Sequence, residues 1–550
     1  MATFEAKDRP VLVFVDTYSD LANVRADLVR TKYATVISTG KNYVIPPNGT
    51  AWEEVIDETA ESYAALSAEV NGIKEDVAEI KSNTILGLYG ARWDRLTNKL
   101  TRLAMAAGIT TDTTNFGHFG SINANYDNPF DSIYPWSEMV VCNVDLDKYR
   151  TGTYSLKECI TAVYGDPDFT YEPSYTNFVG AYRPEFWGYS EEDADGNVSY
   201  YVSQIARPGF KHYEEAIDGI SFAVDVGGNH VSAGAGVPLT NIACSTIHAR
   251  AKADGFTLQD IDAVDAQTLL YLVEYANWNS QQALGDGCSS CYRQNASDVI
   301  AGVATVDGKT TFSVDDSALS SVIYVGAQLS FGASSGGTTY KGIVATFSAS
   351  GSVYSITLDR EIAITSGMYM SVHGFSACEF PLLGASLGNA SGYLGTAQKA
   401  NAWYRGRVMY GNRYQYALGI YRQTSTNHLW ICPDGIDPDD YDALNTAVHE
   451  DTGIALPTLE TAAWLTVGGT AQKIPGLNAF MATGESSGSQ TTPVGDQQYV
   501  PLPSAGNTVL FAGCNTPNGW VCGVLGGYWS YGAGHSSWSA AARPLLKNPL

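Results

Sequence analysis

The sequence predicts an α+β multidomain fibre, and three observations predict it. An apolar heptad repeat follows residue 53, short alternating strands fill residues 292–378, and glycines alternate with aromatic residues through residues 510–550. Together they imply a small α/β N-terminal unit over 1–52, a coiled coil over 53–87, and a helix and β-rich neck over 88–225. The head is expected over 226–291 and 379–550, with a small β domain inserted at 292–378. A chain of 550 residues exceeds one core and is expected to hold roughly three or four domains.

Composition narrows the class of function. Hydrophobic residues at 45% and charged residues at 16% describe a folded chain of low surface charge density, and 34 tyrosines with 55 glycines favour β-rich, loop-rich architecture. Only 32 basic residues stand against 57 acids, a net charge of −25, which argues against a nucleic-acid partner, because phosphate binding needs clustered Lys and Arg. Residues 1–8 lack a basic region followed by an apolar run, so no secretory signal is expected. No apolar run reaches the roughly 18 residues of a membrane span, so membrane insertion is not expected. Nine cysteines, few and odd in number, suggest folding in a reducing cytoplasm with mostly free thiols.

Taken in order, residues 11–15 form an apolar strand, 19–29 a short helical pattern, and 34–38 and 43–45 two more strands joined at Gly40. From Glu53, Ile56, Tyr63, Val70 and Val77 occupy one heptad position and Thr59, Leu66, Ile73 and Ile80 the other. That spacing predicts a coiled coil, and its β-branched core positions favour a homotrimer. The alternative is one amphipathic helix docked on its own chain. Trp93, Leu96, Leu100 and Leu103 share a helical face and predict a second helix over 93–107. Residues 108–220, rich in Asn, Tyr, Asp and Pro, predict short strands and long turns, and 260–281 a further helix carrying Leu269, Leu270, Leu272 and Val273. Within 292–378, Asp307-Gly308 is a strong hairpin signal among six short strands, which predict a compact β-barrel or sandwich. Cys291 and Cys378 bracket it, either as a late-forming disulfide of an exported particle or by coincidence.

The carboxyl-terminal stretch places Trp520, Trp529, Trp538, Tyr528, Tyr531, Asn515, Asn518 and His535 close together among glycines, without one acidic residue. Tyr and Trp give rigid contact area at low entropic cost, and Ser, Gly and Asn give adaptable hydrogen bonds, so the composition suits a contact surface or the core of a glycine-rich β-fold.

Two resemblances follow from particular residues. The run from Phe130 through Pro135-Trp136 to Met139, with Cys142-Asn143, Tyr164-Gly165-Asp166 and Pro208-Gly209-Phe210-Lys211-His212, resembles bacteriophage tail and fibre proteins. Ala402-Trp403-Tyr404-Arg405-Gly406, Gly411-Asn412-Arg413-Tyr414-Gln415-Tyr416, Gly419-Ile420-Tyr421 and the closing segment to Arg543 resemble the formylglycine-generating-enzyme-like variant of the C-type lectin fold. That fold occurs in phage receptor-binding proteins and in the variable proteins of diversity-generating retroelements. The resemblance implies a C-type lectin-like head with ligand-binding positions at Asn515, Asn518, Trp520, Tyr528, Trp529, Tyr531, His535 and Trp538.

Signals for chemistry are sparse. The eight histidines form no H-E-x-x-H or other metal spacing, and Cys288-x-x-Cys291 lacks a second pair. Gly384-Ala385-Ser386-Leu387-Gly388 and Gly484-Glu485-Ser486-Ser487-Gly488 match G-x-S-x-G without the strand-to-helix setting of a nucleophile elbow. Cys514 and Cys522 are spaced more widely than the cysteine pair of the oxidase branch of the related fold, and no basic residue lies between them to lower a thiol pKa. The acidic turn at Asp434, Asp437, Asp439, Asp440 and Asp442 suits calcium by ligand type but not by EF-hand spacing. The expectation is a virion-located protein without catalytic residues, metal or cofactor. Its N-terminal unit would dock on virion tail or baseplate proteins, and its head would bind a bacterial surface receptor, glycan or protein. The alternatives are a structural head fibre or capsid decoration protein, and a glycan-cleaving tailspike, which needs two carboxylates about 5–10 Å apart.

Overall fold

The computed structural model describes four short strands before residue 87 and then residues 87–109, 128–171, 174, 176–220, 222–226, 229–232, 236–284, 292–375, 402–468, 471–484, 496–515, 518 and 521–548. The chain divides into two units, Met1–Leu86 and Gly87–Leu550. In the first, Leu12–Val15 pairs parallel with Tyr33–Val36, which pairs antiparallel with Lys41–Val44 and that with Glu53–Glu54. These strands fall where the sequence places them, at 11–15, 34–38 and 43–45. The helical pattern at 19–29 lies outside the described residues.

The α+β fibre with a coiled coil requires correction, because the described chain is mostly β-sheet. At Glu53 and Glu54, where the expected coil begins, the backbone is a strand in register with Val44 and Tyr43, and residues 55–86 lie outside the described residues. The helix expected over 93–107 is an antiparallel hairpin, Leu88–Asp94 with Lys99–Ala104. Tyr89, Ala91 and Trp93 are buried at a spacing of two while Arg92 is exposed, the alternation of a half-buried strand. Leu96, counted in the helical face, is 95% exposed at the turn, where the Asp94 carboxylate accepts the Thr97 amide and Asn98 takes a positive φ of 56°. Asx-type turn closure overrides a three-and-four spacing that fits both structures.

The second unit is built on one buried helix, Ile261–Tyr275, in which every residue except Asp262 is buried. A helix buried on every side belongs inside a core, and its polar side chains, Asp265, Gln267 and Glu274 among them, must find partners there. Asp260 caps it by accepting the Ala263 amide at 2.7 Å, and Ala276 ends it in the left-handed region at φ 47°. On one side it meets a five-stranded antiparallel sheet ordered Lys211–Tyr213, Phe186–Glu192, Val198–Ser203, Leu88–Asp94, Lys99–Ala104. Gly188 permits this approach: a Cβ there would stand 2.5 Å from Leu269 Cδ2. On the other side it meets Tyr414–Arg422, the centre of an eight-stranded sheet.

A six-stranded sheet closes the body. Its order is Thr257–Leu258, Pro544–Lys547, Ala216–Gly219, Asn177–Arg183, Val140–Asp145, Ile160–Val163, so a strand near the carboxyl terminus pairs with one from the segment expected as the neck. The largest apolar core runs from Tyr89 through Trp136, Leu270 and Tyr416 to Leu546, with a smaller cluster around Val179 and Trp403 beside it, and it draws residues from 88–225, 226–284 and 402–548.

Residues 292–375 form a closed six-stranded barrel with its own core, which includes Phe312, Phe331, Ile356 and Val372. Asp307 and Gly308 both have positive φ, 48° and 68°, the backbone of a type I′ hairpin turn. The barrel is seated on the body through rings and cations. Trp538 stacks on Tyr292 and His373 at 4.9 and 4.5 Å, Arg413 donates to Gln328 Oε1 at 2.6 Å, and Lys341 donates to Thr240 Oγ1 at 2.8 Å. Burial, with Arg413 and Lys341 nearby, pushes His373 down to about 3, so a neutral imidazole fills this junction.

An ionic network pins these layers together. The hairpin Ala402–Tyr404 with Arg407–Tyr410 turns on Arg405 and Gly406, both with positive φ, and a Cβ at Gly406 would meet Val141 Cγ2 at 2.3 Å. The turn delivers Arg405 onto Glu274, near the end of the buried helix, with Nη2 at 2.5 Å from Oε1 and Nε at 3.1 Å from Oε2. Asp131 takes Nη1 at 2.5 Å, and Tyr404 and Asn128 donate to the Glu274 carboxylate at 2.8 and 2.6 Å. Burial opposes the charge on Arg405, but Glu274 and then Asp131 raise its pKa above the usual arginine value. Replacing Glu274 by Ala leaves the buried Arg405 guanidinium with Asp131 as its one carboxylate, and denaturant unfolding is expected to show a loss of about 3–5 kcal/mol. A loss below about 1 kcal/mol, the scale of an exposed pair, would show that the network does not hold the layers.

Candidate functional site

Three strands of the eight-stranded sheet carry the site. Ala463–Thr466 pairs with Gln497–Val500, which pairs parallel with Gly527–Tyr528. The registers set Trp464 opposite Tyr499 and Tyr499 opposite Tyr528, so three rings line up across neighbouring strands. Tyr499 and Tyr528 stack at 4.4 Å with 6° between planes, and the Trp464 edge meets both at 5.5 and 5.8 Å. The chain then brings Tyr531 to 4.7 Å from Tyr528, and His535 stacks on Tyr531 at 3.4 Å.

Trp464, Tyr499, Tyr528, Tyr531 and His535 are all only half-buried, which makes a continuous ring ribbon that reaches solvent. Burial and then the Tyr531 hydroxyl raise the Tyr528 pKa, which keeps its phenol protonated, and burial lowers that of His535. At neutral pH the ribbon therefore presents uncharged rings with hydroxyl and imidazole groups at their edges. Such a surface can stack on apolar faces and exchange hydrogen bonds, which suits non-covalent recognition.

The structure sorts the eight sequence-derived positions. Tyr528, Tyr531 and His535 come together in the ribbon. Asn515 is 5% exposed, and its backbone amide donates to Asn518 Oδ1 at 2.7 Å, so these two residues serve each other's local geometry. Trp529 is wholly buried, with Nε1 donating to Gln498 Oε1 at 3.1 Å, and presents no surface to a ligand. Trp538 belongs to the barrel junction. Trp520 lies outside the described residues. Sequence reasoning missed Trp464 and Tyr499, whose strands AWLT and QQYV carry no alternating pattern to mark them.

The acidic turn is engaged by the protein's own groups. Asp439 lies 2.7 Å from His248 Nε2 and 3.3 Å from Lys252 Nζ, and it accepts the Thr257 hydroxyl. Burial opposes its ionisation, but His248 and Thr257 hold its pKa below the usual carboxylate value. Among the described residues no group of three or more His, Cys, Asp or Glu side chains is placed to hold a metal. Cys514 and Cys522 are both buried. Cys288, Cys291, Cys378, the Gly384–Gly388 match and most of the Gly484–Gly488 match lie outside the described residues. No helix among the described residues is long and apolar enough to cross a membrane. No protein-family model and no curated protein matches this chain.

Beneath the ribbon, Asp496 is 2% exposed and accepts the Leu525 amide at 2.8 Å, with Gly523 packed against its carboxyl group. Burial pushes its pKa up to about 7. The folded state thus binds a proton that the unfolded chain releases near the ordinary carboxylate value. The stability this provides is complete at low pH and is lost as pH rises through about 7. Denaturant unfolding is expected to show that Asp496→Asn removes about 1–3 kcal/mol of the stability lost between pH 5 and pH 8. Identical pH slopes in the two proteins would contradict this role.

Proposed function

We propose that this protein is a virion-attached adhesin that binds a bacterial surface receptor, glycan or protein, non-covalently through the ring ribbon. The observation that carries the proposal is the continuous contact of five half-exposed, uncharged aromatic side chains across three strands and the following loop. Rings locked by their neighbours lose little freedom on binding, so a modest surface can hold a ligand. The resemblance of residues 402–422 and 510–543 to receptor-binding heads of C-type lectin type supports the same reading. Several copies on one particle raise the effective concentration, so each head need bind only weakly. In this account the N-terminal sheet attaches the chain to virion tail or baseplate proteins.

The test is adsorption of the labelled full chain to a panel of bacterial cells and their extracted surface glycans. Wild-type protein is expected to bind at least one surface saturably, and Tyr528→Ala with Tyr531→Ala is expected to weaken that binding by about tenfold or more, the scale of a buried aromatic contact. Circular dichroism and unfolding curves establish that the variant is folded. A folded double variant that adsorbs as well as wild type would place recognition elsewhere, and wild-type protein that adsorbs to none would favour a structural fibre or decoration protein.

A further inference from the structure

A cleft of about 1260 Å³ opens between the edge strand Lys211–Tyr213, the start of the helix Ile261–Tyr275 and the turn at 431–439. We propose that this cleft is a second binding site, specific for a saccharide unit that carries a single carboxylate and seats it on Arg183. Arg183 ends the strand Asn177–Arg183, lines the cleft and is 5% exposed, yet its Nε and Nη1 have no hydrogen-bond acceptor. A buried donor without an acceptor is costly, and a carboxylate is the strongest partner a guanidinium can take.

The three carboxylates that act on Arg183 are committed to other partners. Asp218, Asp260 and Asp262 all act on Arg183 electrostatically. Asp218, however, pairs with Arg407 at 2.9 Å and accepts Gln267 Nε2 at 3.0 Å. Asp260 pairs with Lys547 and caps Ala263, and Asp262 pairs with Lys211 at 2.6 Å. Three acids thus meet four cations, and Arg183 is the one without a carboxylate, its guanidinium resting over the Phe186 ring at 5.6 Å. Lys473, on the same wall, donates to the Ser190 carbonyl at 2.5 Å and makes no ion pair among the described residues.

Two further features define the body of the ligand. Tyr189 and Phe210 line the cleft half-buried and stack on each other at 5.2 Å, a wall that suits the apolar face of a sugar ring better than water. The lining also includes Asp434, Glu214 and Glu450, acids without an ion-pair partner among the described residues. They would repel a polyanion, which limits the ligand to one negative group on a neutral body. The ribbon is a separate surface, so this assignment does not rest on the adhesin reading.

The test is calorimetric titration of the full chain with D-glucuronate, D-glucose and inorganic phosphate. Wild type is expected to bind glucuronate saturably and about tenfold or more tighter than either comparison ligand. Arg183→Gln is expected to abolish that preference, and Phe210→Ala to weaken glucuronate by about threefold or more, on the scale of one aromatic contact. Absence of saturable glucuronate binding overturns the proposal. So does glucose or phosphate matching glucuronate, or a folded Arg183→Gln that keeps the preference. If Arg183→Gln does not fold, Phe210→Ala decides: unchanged affinity overturns the site, and weakened affinity supports it.

Discussion

The second unit depends on the placement of one buried charge pair. Glu274 sits at the end of a helix buried on every side, where an unpaired carboxylate would be prohibitive. Arg405 reaches it only because the two-residue turn at Arg405-Gly406 adopts positive φ and Gly406 lies against Val141 without a side chain. Asp131 and Asn128 come from the segment before the six-stranded sheet, the helix from the middle of the chain, and Arg405 from the hairpin after the barrel. One network therefore fixes three distant segments to each other. The backbone oxygen of Glu274 also accepts from Arg102 in the first hairpin, which extends the same clamp to the five-stranded sheet.

The ribbon inherits its precision from this clamp. Tyr414–Arg422 packs on the helix and pairs with Thr508–Ala512, which pairs with the strand that carries Tyr528. Trp529 and Gln498 form the buried underside: Gln498 accepts the Trp529 indole and donates to the Met481 and Leu525 carbonyls. Rings above a satisfied polar layer cannot rotate freely, and rigid rings are what give a weak contact its geometry. Asp496 adds a pH-sensitive support to the same loop.

Much of this was legible in the sequence, for identifiable reasons. Six short strands and an Asp-Gly turn announced the inserted barrel because hairpin chemistry is local. The hairpin at Leu88–Ala104 was not legible as such, since Trp93, Leu96, Leu100 and Leu103 fit a helical stripe until Leu96 is seen at an exposed turn. The carboxyl-terminal aromatics signalled a surface but not its membership. Tyr528 and Trp529 are adjacent, and successive side chains of extended backbone face opposite ways, so one reaches solvent and the other the core. Trp464 and Tyr499 join the ribbon through strand register, a long-range property that composition does not contain.

The measurement that tests the central claim most directly is hydrogen–deuterium exchange of the full chain with and without a bacterial envelope preparation that it adsorbs to. The account predicts that protection on binding concentrates at 463–466, 497–500 and 527–535, with the barrel strands unchanged. Protection confined to the barrel, or absent from those three segments, would contradict it.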